Sequence, residues 1–246
     1  MKRLRRVLAC AILSLGYSFA SPDPTPEGFR SLFNGTDLDG WKIPEGDNGH
    51  WQVIDGVIDY DALSEAEGDK NLWSEESFGD FELRLDWRIK ETRGSWAMPY
   101  VLPDGSYVKD EEGNKITHPM PNADSGIYLR GQGKYQINIW CWPIGSGEVY
   151  GIRNDDSQPP EVRAGVTPNR KADNPVGQWN TFVITLKGDR LTVELNGHLV
   201  IENALLPDIP AEGPIAFQHH GGMRNGEWSG ASSLVQFRNI FVRDLK

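Results

Sequence analysis

Asn122 to Gly151 reads NADSGIYLRGQGKYQINIWCWPIGSGEVYG, two alternating segments joined across a glycine-bearing turn. Ser125, Ile127 and Leu129 share one face of the first segment, and Asp124, Tyr128 and Arg130 share the other. That period of two belongs to a half-buried strand. In the second segment Tyr135, Ile137 and Ile139 oppose Gln136, Asn138 and Trp140. Gly131-Gln132-Gly133 is expected to turn the chain between them, as glycine reaches positive φ without a Cβ clash. With the apolar faces in the core, one sheet presents Asp124, Arg130, Gln136, Asn138 and Trp140 together. A carboxylate, a guanidinium, two amides and an indole on one surface suit a sugar.

Outward from this hairpin the chain repeats the same kind of element. Asp80 to Ile89 alternates most clearly, with Phe81, Leu83, Leu85, Trp87 and Ile89 against Glu82, Arg84, Asp86 and Arg88. Trp51 to Ile54 and Val57 to Tyr60 flank Asp55-Gly56, and Asn196-Gly197 turns the strand Leu191 to Leu195 into His198 to Glu202. Both dipeptides are type I′ hairpin signals. Phe29 to Phe33, Trp179 to Leu186, Ile215 to His220 and Leu234 to Asp244 also read as strands. Two long irregular segments, Gly94 to Pro121 with room for a small hairpin and Gly151 to Gly177, interrupt the pattern, and loops of that length usually serve a site. No window carries a sustained helical stripe, so the expected fold is all-β, a two-sheet antiparallel sandwich.

The N-terminus reads as an export leader. Lys2, Arg3, Arg5 and Arg6 precede a largely apolar run from Val7 to Phe19, and Ser18-Phe19-Ala20 offers a peptidase site, so cleavage is expected after Ala20. A lipid on Cys10 has too short an apolar run before it, and the run is also shorter than the ~20 residues of a membrane span. A proline-spaced linker, 21–28, then leads into one domain, 29–246. Removing the leader takes away four basic residues and no acidic one, which moves the net charge from −10 to −14. Such a balance excludes a nucleic-acid partner. Cys141 is then the only cysteine, so no intrachain disulfide is available and the fold stands on packing. The destination is periplasmic or secreted, with no membrane insertion; the sequence does not reveal the oligomeric state.

In order along the chain stand Ser31-Leu32-Phe33-Asn34-Gly35, Leu38-Asp39-Gly40-Trp41, Trp51-Gln52-Val53, Asp55-Gly56, Asp80-Phe81-Glu82-Leu83, Asp124-Ser125-Gly126-Ile127, Trp179-Asn180, Asn196-Gly197, Gln218-His219-His220-Gly221 and Phe237-Arg238-Asn239-Ile240. This ordered set resembles the bacterial 3-keto-disaccharide hydrolase domain, also described as a 3-keto-glucoside lyase and hydratase domain, from about Phe29 to Leu245. The resemblance implies a concanavalin A-like jelly roll and an exported protein acting on oxidised sugars. Two departures stand out. Many members carry Tyr-Glu-x-Gln where this chain has Tyr135-Gln136-Ile137-Asn138, so a role of that glutamate does not pass to Gln136. The excursion from Gly94 to Pro121 is also longer than the family's usual connection.

The implied chemistry has definite needs. A ketone at sugar carbon 3 acidifies the hydrogen on carbon 2; its removal gives an enolate that expels the group on carbon 1, and water adds back. No oxocarbenium ion forms, so the paired carboxylates of ordinary glycosidases are not required. A base, a donor for the enolate oxygen and an acid for the leaving group are required. His220, whose ordinary pKa lies near neutrality, is the first candidate for proton transfer. Asp86 or Asp124 is expected to orient it or act as base, and Arg88 or Arg130 to hold the enolate. Gln136, Asn138, Gln218 and Trp140 are expected to bind the sugar through hydroxyl contacts and ring stacking.

Each candidate has a plainer reading. Asp86 with Arg88 also fits a solvated charge row, Trp87 and Trp179 fit a core better than a ligand platform, and Arg238 fits a structural closure of the last strand. Cys141 has no catalytic pattern around it. The carboxylates of Asp104 to Asn114 and Asp155 to Glu161 do not follow an EF-hand spacing, and no His-x-x-x-His or paired-cysteine motif occurs, so the only metal left open is a structural calcium ion. No glycine-rich loop opens a helix to hold a nucleotide cofactor. Two other classes stay open beside the enzyme: a carbohydrate-binding, lectin-like module, favoured by Gln136 in place of an acid, and a structural envelope protein. Fold does not choose among them.

Overall fold

The computed structural model describes residues 24–246; the leader, its predicted cut after Ala20 and Cys10 lie outside the described residues. Within them the expected sandwich is found. One sheet has eight strands, in the order His198–Leu205, Arg190–Leu195, Asn180–Lys187, Phe81–Ile89, Val235–Asp244, Val57–Tyr60, Trp51–Ile54, with Arg30–Ser31 pairing onto Val235–Asp244. The other has five, in the order Gln132–Trp140, Asp124–Leu129, Gly213–Phe217, Leu72–Phe78, Trp41–Lys42. Every strand pairing between them is antiparallel. Helix is confined to Tyr150–Arg153 and Pro160–Gly165, both in the second irregular segment.

Alternation decides which side chains make the core. Phe81, Leu83, Leu85 and Trp87 are buried against Ile127, Leu129, Ile137, Ile139 and Phe217 from the facing sheet. Phe217 and Phe237 stack across the two sheets with ring centroids 3.9 Å apart, and Trp41 stacks on Phe217 at 4.8 Å. Each such side chain contributes about 1.5–3 kcal/mol by leaving water. The turn signals Asp55-Gly56 and Asn196-Gly197 both have positive φ at the two positions, 51° and 77° in the first and 53° and 76° in the second, as a type I′ hairpin requires.

The hairpin of 122–151 differs from expectation in its turn. Arg130 and Gly131, with φ 46° and 79°, make the reversal, and Gln132 already pairs with Leu129. A register shift between Gln132 and Gln136 then restores the alternation, so that Gln136, Asn138 and Trp140 lie opposite Tyr128, Gly126 and Asp124. The excursion 94–121 contains the small hairpin Ser95–Pro99 with Thr117–Pro121, extended by bridges at Val101–Tyr107 and Lys109–Lys115. It is clamped from below. Arg153, fully buried, pairs with the equally buried Glu148 and donates to the Gly105 carbonyl at 3.2 Å and the Tyr107 hydroxyl at 3.0 Å.

Candidate functional site

The outer face of the five-stranded sheet gathers most of the predicted polar residues at the end where Asp124–Leu129 begins. Gln218 follows Gly213–Phe217 and donates its backbone N–H to Gly126 at 2.9 Å, which places Gln218 beside Gln136 and His220 beside Asp124. Gly126 makes the approach possible. A Cβ there would meet Gln136 Cγ and the Ile137 carbonyl oxygen, each at 2.7 Å.

His220 and Asp124 form the centre. The His220 ring is 40% exposed, and its Nε2 stands 4.0 Å from Asp124 Oδ2. Nδ1 lies 2.6 Å from the Ala231 carbonyl, an acceptor only, so Nδ1 carries a proton and Nε2 is the ring atom turned toward Asp124. Burial pushes Asp124 up to about 6, with His220 pulling the other way.

Beside the pair runs a directed hydrogen-bond chain. Gln136 Nε2 donates to the Ser125 carbonyl at 3.0 Å and to Gln218 Oε1 at 2.5 Å. The carbonyl admits only a donor, so both amide orientations are fixed. Gln218 Nε2 then donates to the Tyr128 hydroxyl at 2.9 Å, and the Tyr128 proton is left to point elsewhere. Burial raises the Tyr128 pKa, which keeps the phenol a donor. Tyr128 shares the face of Asp124 in the sequence pattern, but an aromatic at an alternating position reads first as packing, which is why it does not stand out as a site residue there.

Trp140 departs from expectation. It is 3% exposed, its indole N–H is held by the Gly145 carbonyl at 2.6 Å, and Trp142 stacks on it at 4.1 Å. Covered on one face, it serves as a wall and not as an open stacking platform. With Trp87, Ile89, Pro121 and Val176 it lines an apolar cavity of about 310 Å³ at the same end of the sandwich, edged by Lys171, Asp173 and Asn174. Asn138 is buried on the polar face opposite Gly126, its backbone bonded to Gly147 and Glu148.

Three of the predicted residues are elsewhere. Asp86 and Arg88 lie on the outer face of the eight-stranded sheet, the opposite side of the molecule from His220. Equal parity on strands of different sheets sends polar side chains to opposite exteriors. Asp86 accepts from Thr181 Oγ1 at 2.7 Å and Asn239 Nδ2 at 2.8 Å, and pairs with Arg238. Arg88 bonds Gln236 and lies over the Trp179 ring, so this is the structural charge row. Arg130 sits in the turn at the far end of its strand, about 20 Å from Asp124 by strand length. There it donates to the carbonyls of Gly79, Gly188 and Pro210 and to Asp80.

Glu148 has no sequence signal, since it lies in an irregular segment. Burial pushes its carboxyl up to about 7, with Arg153 opposing. Burial likewise raises the Cys141 thiol, which keeps it un-ionised. Among the described residues no three His, Cys, Asp or Glu side chains are grouped to hold a metal ion, and no helix is long and apolar enough to cross a membrane.

The fold is that of a β-sandwich protein, and its family places it in the glycosidase-like or carbohydrate-binding class. More particularly, the family model of the 3-keto-alpha-glucoside-1,2-lyase-like domain matches residues 28–243, and the chain belongs to that family. Two solved structures of candidate glycosyl hydrolases from Parabacteroides distasonis ATCC 8503 share the fold. One has a TM-score of 0.53 at 19% identity, covering 89% of this chain and 95% of its own. The other has a TM-score of 0.53 at 18% identity, covering 88% and 99%. No match was found among curated proteins.

Proposed function

We propose that this chain is an exported enzyme that cleaves 3-keto-glucosides by elimination across C1 and C2 and then hydrates the product, for net hydrolysis. The observation that carries the reading is the Asp124–His220 pair, with its bare imidazole Nε2 and a carboxyl whose pKa is lifted to about 6. His220 Nε2 takes the proton from carbon 2, and the electron pair moves onto the carbon 3 oxygen as an enolate. The Tyr128 hydroxyl, turned outward by the Gln136–Gln218 chain, donates to that oxygen. Collapse of the enolate breaks the C1–O bond, and the protonated form of Asp124 gives its proton to the departing oxygen. Water then adds across the C1–C2 double bond with the proton movements reversed.

Turnover in heavy water tests this directly, because deuterium is expected at carbon 2 of the product or of recovered substrate. His220→Ala is expected to lower kcat by about 10²-fold or more with ligand binding largely kept. Cleavage with no deuterium at carbon 2 would remove the mechanism. The second reading, a carbohydrate-binding module, draws on Gln136, an amide in a fully bonded chain where the family pattern has an acid. A binding titration with the unoxidised disaccharide separates the two, since a binder takes it up without turnover. The N-terminal pattern supports export, with Ser21 as the expected mature N-terminus. Mass spectrometry of the exported protein checks it, and a retained Met1 or a lipid on Cys10 overturns it.

A further inference from the structure

His219 serves a different cavity from its neighbour His220. A cleft of about 330 Å³ lies between the segment 62–70 and residues 219–224, lined by Ser64, Lys70, His219, Gly222 and Arg224 among others, with no carboxylate in its lining. This is notable on a chain with 35 acidic against 25 basic residues. The nearby Asp61 is paired with His50 and Glu65 with Asn48; the buried Asp47, which accepts from the Trp51 N–H, lies near enough to act on the His219 ring, and Glu227 stands across a short hairpin from Arg224. Neither Lys70 nor Arg224 has an ion-pair partner among the described residues.

The cleft is built. Trp51 Nε1 fixes the Lys70 carbonyl at 2.9 Å, and Lys70 Nζ donates to the Ser64 carbonyl at 2.8 Å, which leaves two ammonium protons. The Asn71 side chain holds the His219 backbone N–H at 2.8 Å. His219 Nδ1 lies 2.5 Å from the Tyr60 hydroxyl. That contact holds the His219 ring at the cleft wall. Burial first, then the charges of Lys70 and His220, lower its pKa to about 4, so the ring is neutral at physiological pH.

We infer that this cleft is an oxyanion subsite, taking a sulfate, phosphate or carboxylate group of a ligand on the Lys70 ammonium and the Arg224 guanidinium, with the His219 ring beside it. Two cations with no carboxylate in the lining match an anionic group, and a guanidinium meets two oxygens of such a group at once. The natural ligand on this reading is a sugar bearing an acid or an acid ester. The inference goes beyond the elimination chemistry and is read without turnover, so its failure leaves the deuterium test untouched.

The test titrates the full-length protein, labelled at histidine nitrogens, with inorganic sulfate, inorganic phosphate and glucuronate in separate arms, following the His219 ring by long-range proton–nitrogen correlation. A saturable shift of Nε2 is expected in at least one arm, with the His219 titration midpoint moving up from about 4. Tightest binding of glucuronate identifies a carboxylate sugar; tightest binding of sulfate or phosphate identifies an ester. Lys70→Gln and Arg224→Gln are expected to weaken binding by about tenfold or more each, at ionic strength near 0.1 M. Arg84→Gln, an exposed change on the opposite sheet, is expected to leave it unchanged. Thermal melts of the variants separate lost binding from lost fold. No saturable response in any arm, or equal affinity in the two cleft variants and wild type, overturns the proposal.

Discussion

The Tyr128 hydroxyl takes its direction from two glutamines it shares a face with. Because the Gln136 amide is pinned by the Ser125 carbonyl, each donor in the chain points one way and the phenol proton is released for a ligand. Tyr128→Phe is thus expected to leave the melting temperature nearly unchanged and to lower kcat by about 10²-fold, the scale of one lost oxyanion donor; steady-state kinetics on a 3-keto-glucoside checks it. Asp124 predicts a pH effect of definite sign. Its carboxyl is at about 6 in the fold against 3.8 for an unperturbed aspartate, so the fold holds that proton more tightly than the unfolded chain does. The stability it contributes is present below about pH 3.8 and is lost as pH rises toward 6. Asp124→Asn is expected to gain stability relative to wild type across that window, then level off, while losing activity. Melting temperatures of both proteins from pH 4 to 7 check it. At this scale the sequence exposed Asp124, His220, Gln136 and Gln218 by parity alone, but it hid Glu148 and the Lys70 cleft, which depend on loop backbones that no periodicity describes.

Strands are legible where alternation is strict, and the reason is that period two has one meaning when a single face is buried. Asp80 to Ile89 and the hairpin at Asp55-Gly56 are found within a residue of the observed bounds, while the strand expected from His198 to Glu202 runs on to Leu205. What alternation does not encode is sheet membership. Asp86 and Asp124 look equivalent along the chain, yet Phe81–Ile89 pairs into the eight-stranded sheet and Asp124–Leu129 into the other. The turn of the central hairpin also falls one position before the expected glycine pair, since Arg130 accepts positive φ, a conformation more often left to Gly, Asn or Asp. Asp86→Asn and Arg130→Ala are therefore expected to act on stability and not on chemistry. The first disturbs bonds to Thr181 and Asn239 and costs about 1–2 kcal/mol; the second strands several buried carbonyls and costs about 3 kcal/mol or more. Chemical denaturation with kcat measured alongside checks both, and a large fall in kcat of the folded variants would return these residues to the site.

At the scale of the whole molecule, residues 120–121 and 171–176 of the two irregular segments and the 219–224 stretch line cavities at the end of the sandwich opposite Arg130. That end carries the Asp124–His220 pair, an apolar cavity and the cleft lined by Lys70 and Arg224. The family match over 28–243 accounts for the frame and spans the long excursion, which is anchored through Glu148 and Arg153. The Arg130 guanidinium has a temporal meaning as well. It joins segments 51, 58 and 80 residues away along the chain, so all its bonds wait until both sheets have docked. A fastener assembled that late is absent from the barrier that folding must cross. Its removal should leave the refolding limb of a chevron almost unmoved and steepen escape from the native state, making Arg130 a governor of the protein's lifetime.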